Sequence, residues 1–175
     1  MNKKYEFTGE TKIWLGRTLH QIRALIRIEK YDINPGDLGG WIEKEENLSH
    51  DGNAWVYGNA WVYDDARVYG NARVCDNAWV YNNARVCDNA WVYGNAHWLC
   101  VGPIGSRDDF TTFFRAKGKK IFVKCGCFRG DIDAFAAKVA VTHGDDPHAK
   151  VYMAAIELAK ARIDLTGEDP EADDE

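Results

Sequence analysis

The chain has 175 residues, 46% hydrophobic and 28% charged, with a formal net charge of −5; this suits one globular unit, or a small repeat domain with an appendage, and excludes two large domains. No apolar run approaches the roughly 18 residues of a membrane span, and MNKKYEFTGE carries charge where a signal peptide has its apolar core, so a soluble cytoplasmic protein is expected. Five cysteines, an odd number, favour reduced thiols over a disulfide scaffold, and the acidic balance argues against a general nucleic-acid binder.

The first stretch predicts strands over 5–7, 12–15 and 18–28, the last with Ile22, Ala24, Ile26 and Ile28 on one face and Arg23 and Arg27 on the other. These form an N-terminal β cap, 1–32. Pro35-Gly36 and Gly39-Gly40 then read as turns that lead into the next unit.

From Gly52 the sequence runs GNAWVY GNAWVY DDARVY GNARVC DNAWVY NNARVC DNAWVY GNAHWL, a six-residue period through eight units. Such periodicity predicts a solenoid. Ala and Val two residues apart share one strand face, while the Gly, Asp and Asn pairs suit corners because they tolerate left-handed backbone. A prism over 33–100, filled by Val56, Val62, Val68, Val74, Val80, Val86 and Val92 with their Ala partners, is expected. Leu48 to Val56 spans eight residues rather than six, so a two-residue bulge around His50 is predicted.

These hexads resemble the hexapeptide-repeat proteins, which fold as left-handed parallel β-helices with three hexads per triangular coil. The segment GDLGGWIEKEENLS followed by GNA-type hexads is also similar to a bacterial and prophage-encoded group labelled putative transferases. The resemblance implies a mainly β protein and places residues eighteen apart in vertical register. One face then carries Trp55, Arg73 and Trp91 beside Tyr57, Cys75 and Tyr93. A second carries Trp61, Trp79 and His97 beside Tyr63, Tyr81 and Leu99, and a third Arg67 and Arg85 beside Tyr69 and Cys87. Two outward faces this apolar call for a cover: further subunits in a homo-oligomer (dimer or trimer) or the flanking segments, with a ligand surface or simple stiffening ladders as other readings. The resemblance also raises a CoA-dependent acyltransferase, whose general base would be His50 or His97.

After Val101 the repeat stops and a C-terminal ββαα module, 101–166, is predicted: strands over 110–115 and 121–128, then helices over 131–142 and 147–165. Residues 102–130 hold seven basic against two acidic side chains, a local net of +5, and 131–175 hold four against twelve. Gly105, Ser106 and Arg107 are a candidate anion-binding turn, or a plain domain-linking turn, with Arg115, Lys124 and Arg129 as further anion ligands. Cys125 and Cys127 followed by His143 and His148 are poorly spaced for zinc, and neither a metal nor a cofactor is expected. An acidic tail, 167–175, closes the chain. The function expected is a non-catalytic binding protein of phage or prophage origin that antagonises a host factor by sequestering an anionic nucleotide signal; the alternatives are the acyltransferase and a structural assembly protein.

Overall fold

The computed structural model describes residues 3–167; the acidic tail expected beyond lies almost wholly outside them. Strands β1 (Tyr5–Trp14) and β2 (Arg17–Ala24) form an antiparallel hairpin, and β2 continues antiparallel onto β3 (Leu38–Ile42). Gly39 and Gly40 therefore sit inside a strand rather than at a turn. Their missing side chains let the backbone approach closely: a Cβ on Gly40 would stand 2.7 Å from both the Ala60 carbonyl and Val56 Cγ1.

Seven two-residue strands follow, one in each of the first seven hexads: β4 (Trp55–Val56), β5 (Trp61–Val62), β6 (Arg67–Val68), β7 (Arg73–Val74), β8 (Trp79–Val80), β9 (Arg85–Val86) and β10 (Trp91–Val92). Pairing is parallel between residues eighteen apart, as in Trp55↔Arg73, Arg73↔Trp91, Trp61↔Trp79 and Arg67↔Arg85. Three short sheets result: β3-β5-β8, which carries the hairpin on its edge, β4-β7-β10, and β6-β9. Earlier pairs, Ile42↔Val62 and Leu48↔Val68, are twenty apart. The two extra residues thus lie between Leu48 and Trp55, where the bulge is expected.

The interior is the Val and Ala array, every member from Ala54 to Val92 at 0% exposure. The corners carry the backbone strain: Gly52, Gly58, Asp64, Gly70, Asp76, Asn82 and Asp88 all have positive φ, the left-handed region that Gly, Asn and Asp tolerate best.

Both open ends are closed. At the lower end Lys4, fully buried, donates from Nζ to the carbonyls of Ala54 (2.7 Å) and Gly52 (3.4 Å), and Tyr5 Oη donates toward Leu48 and Glu45 carbonyls. Burial pulls the Lys4 ammonium down to about 8, against a smaller upward pull from Asp51. At the upper end stands an antiparallel sheet of four strands: β11 (Trp98–Ile104), β12 (Asp109–Ala116), β13 (Lys120–Cys125) and β14 (Phe128–Asp131). It meets every strand of the last coil. Trp98 Nε1 donates to the Trp79 carbonyl (2.8 Å), Arg85 N–H donates to Thr112 Oγ1 (3.0 Å), and Ala90 bridges Ala116.

Helices α1 (Ile132–His143) and α2 (Pro147–Arg162) cover the other face of this sheet; Asp131 and Asp146 cap their N-termini by accepting from Ala134 and Ala149 N–H. The module therefore has four strands before its two helices. The additional pair arises because β11 begins at Trp98 inside the expected solenoid, and because Gly126 and Cys127 turn the expected 121–128 strand into two. No helix among the described residues is long and apolar enough to cross a membrane.

Candidate functional site

The hexad position before each Val points outward, and on the β4-β7-β10 sheet it is filled by Trp55, Arg73 and Trp91. Arg73 is held among aromatic rings. Its guanidinium carbon lies 4.8 Å from the Tyr31 ring, 5.3 Å from Tyr57 and 5.9 Å from Trp91. Contacts of this kind contribute about 0.5–1 kcal/mol each when exposed and more when desolvated. Tyr31 comes from the turn after the hairpin and is anchored by its hydroxyl on the Asn71 carbonyl. Around Arg73 opens a groove of about 690 Å³ lined by Tyr57, Cys75, Asp76, Trp91 and Tyr93, with Asn59 and Asn77 at its rim. Burial raises the Cys75 thiol to about 11 and lifts the Tyr57 hydroxyl well above its ordinary range, so both remain protonated at neutral pH.

The aromatic columns are covered within the chain to a large extent. Trp55 is 1% exposed under the edge of Tyr5, Trp91 is 7% exposed, and Tyr63 is buried with Leu19 and Trp41. Trp61 and Trp79 stack with parallel rings 4.8 Å apart, and Trp14 of the hairpin sets its edge against both. Tyr81 stacks on Tyr63 and takes the edge of Trp98.

Of the basic residues expected to converge on one anion, Arg115 stands apart from the others. Arg115 is fully buried on the helix side of the cap sheet, donating to the carbonyls of Asp164, Thr166 and Gly167 beside the Tyr93 ring. Strand alternation sends Lys124 and Arg129 to the opposite face, since Arg115 pairs with Ile121 while Lys124 pairs with Thr112 and Arg129. Arg129 reaches Asp88 at 3.4 Å, and Lys124 bonds the Gly126 carbonyl. Arg107 lies against the same Gly126 turn, close enough that a Cβ there would meet its guanidinium. Gly105 is packed under the Tyr152 hydroxyl, and Ser106 is exposed.

The two histidines have structural partners. His50 Nδ1 accepts from Lys4 N–H (3.2 Å) and its ring stacks on Tyr5 at 4.4 Å; His97 Nδ1 accepts from Tyr93 N–H (3.2 Å) and is 5% exposed. An imidazole accepting at Nδ1 carries its proton on Nε2, so neither ring presents a free acceptor nitrogen. Cys125 bonds Thr111 and Tyr152, Cys127 is exposed at its turn, and His143 pairs with Asp146; no cluster among the described residues could hold a metal.

Sequence reasoning did not single out Tyr31, Asn59, Asp76 or Asn77 as parts of a site. The eighteen-residue register alone brings Asn59 and Asn77 together, but Tyr31 reaches Arg73 through a turn whose path no periodicity announces.

A family model described as the YdcK beta solenoid repeat matches residues 66–82 and again 72–88. The middle of the chain is a β-solenoid repeat. No curated protein matches the chain.

Proposed function

We propose that this chain is a non-catalytic binding protein for an anionic, nucleotide-type small molecule, held in the groove around Arg73. The observation that carries the reading is a guanidinium set among three aromatic rings at the wall of an open groove of about 690 Å³. That volume lies in the range of small-molecule sites. Arg73 would meet a phosphate by forked hydrogen bonds, the edges of Trp91 and Tyr93 would bound a base, and Asn59, Asn77 and Asp76 offer donors and acceptors to its polar rim. Binding without turnover fits the sequestration of a signal, and with it the antagonism of a host factor by a phage or prophage protein. The finer architecture belongs to the same proposal: a left-handed hexapeptide-type helix with three hexads per coil, assembled as a homo-oligomer.

The acyltransferase alternative needs a general base, and the engaged Nδ1 atoms of His50 and His97 weigh against it. Isothermal titration of the full chain with mononucleotides and cyclic dinucleotides tests the proposal. Saturable binding is expected, at least tenfold weaker in Arg73→Gln, with the variant's fold confirmed by circular dichroism and its melting temperature lowered only by the lost ring contacts. No heat from any of these ligands, or equal binding by the variant, removes the reading; a melting temperature raised by CoA would favour the alternative.

A further inference from the structure

We propose that Arg67 and Arg85, on the β6-β9 sheet, form a second and separate site that takes a single dianionic oxyanion: inorganic phosphate or the phosphate group of a monoester. The two residues pair in register on adjacent parallel strands, and both are exposed. Strand spacing sets their backbones about 4.8 Å apart, and like charges directly opposite on neighbouring strands destabilise a sheet. Other basic side chains along the solenoid have their charge answered: Arg17 by Glu43 and Asp64, Lys44 by Asp65, Arg129 by Asp88, and Arg73 by its rings. No carboxylate among the described residues pairs with Arg67 or Arg85 within 4.0 Å; Asp65, which feels the Arg67 charge, is paired with Lys44. The corresponding hexad position is Trp at 55, 61, 79 and 91, so this face carries two stacked cations where an apolar ladder is the alternative.

A groove of about 580 Å³ runs beside the pair, lined also by Ser49, His50, Tyr69 and the carboxylates Glu45, Glu46 and Asp51. Two forked guanidinia one strand apart match the several oxygens of a tetrahedral dianion, which would relieve their mutual repulsion. The surroundings limit the size of the anion. Glu45 is occupied by Lys3 at 2.8 Å and Asp65 by Lys44 at 2.9 Å, while Glu46 and Asp51 line the groove itself. A run of phosphates, as in a nucleic acid, would meet more of those carboxylates than one compact head group does.

Phosphorus NMR and calorimetric titration of the full chain with inorganic phosphate and with phenyl phosphate test the site. Saturable binding is expected, reduced at least tenfold in both Arg67→Gln and Arg85→Gln and unaffected by Arg73→Gln. Equal affinities identify a site open to monoesters; preference for inorganic phosphate identifies the free ion. Because both positions are exposed and each substitution removes one of two opposed like charges, melting temperatures that are unchanged or slightly raised should accompany the loss. The proposal is overturned by an absence of saturable binding, by equal binding in the two variants, or by an oligonucleotide that binds tighter than phosphate through these arginines. Its failure leaves the groove at Arg73 untouched, since that site is read by a different variant.

Discussion

His97 shows how a residue that looks catalytic in a string of letters becomes structural in three dimensions. It sits at the join between the last hexad and β11, buried, with its Nδ1 closing the Tyr93 amide. Burial, and then the Arg115 charge, hold its pKa below the ordinary histidine range. Below the unfolded-state pKa the unfolded chain therefore binds a proton that the folded chain resists. Stability from this group is complete above about pH 6.5 and is lost as pH falls through the folded value. Urea unfolding between pH 7.5 and 5 should show a falling midpoint, and His97→Gln, which cannot titrate, should flatten that dependence. A wild-type midpoint that holds steady across this interval would contradict the assignment. Arg115 carries the matching lesson: its charge was legible, but its burial under the Asp164 to Gly167 carbonyls depends on contacts about fifty residues away in sequence.

At the level of elements, what the sequence made legible was what repeats. Val and Ala at fixed spacing specify the solenoid interior because alternation alone assigns their face, and the eight-residue step from Leu48 to Val56 places the bulge. The flanks were less legible. Gly39 and Gly40 look like a turn because glycine permits one, yet here the lack of a Cβ serves close packing of extended β3 against the coil above it. Gly40 does not have positive φ, so Gly40→Ala adds no backbone strain and reads the packing alone: the methyl must shift the Ala60 carbonyl and Val56, an overpacking cost of about 2 kcal/mol. Equilibrium urea unfolding should record that loss, and a change under about 0.5 kcal/mol would mean the strand yields freely. The cap sheet is hard to read in the sequence for a related reason. Its first strand starts at Trp98, in letters that still resemble a hexad, and only tertiary pairing with β12 decides that Trp98 leaves the solenoid. The candidate site shared this limit: Arg73 and its Trp neighbours follow from the period, while Tyr31 arrives from a turn with no pattern of its own.

The molecule as a whole is organised around β12, which serves two cores at once. Phe114 faces the solenoid, packed in the same cluster as the Val and Ala array, while its neighbour Phe113 packs among Phe135, Val139 and Ile156 under the helices. One strand thus joins what composition divides into a repeat and an appendage. If the two cores share this element, neither can open without exposing apolar surface of the other, at roughly 25 cal/mol per Å². The chain offers two clean probes of that coupling. All seven tryptophans lie between Trp14 and Trp98, so their fluorescence reports the hairpin and solenoid, whereas α1 and α2 account for the helical circular dichroism. The two signals should share one midpoint in urea. Phe114→Ala, which weakens only the solenoid side of β12, should move both together by an amount corresponding to about 3 to 4 kcal/mol. Separate midpoints, or a variant that shifts the fluorescence transition and leaves the helical one in place, would show that the C-terminal module is a self-sufficient domain resting on the solenoid rather than a cap built into it.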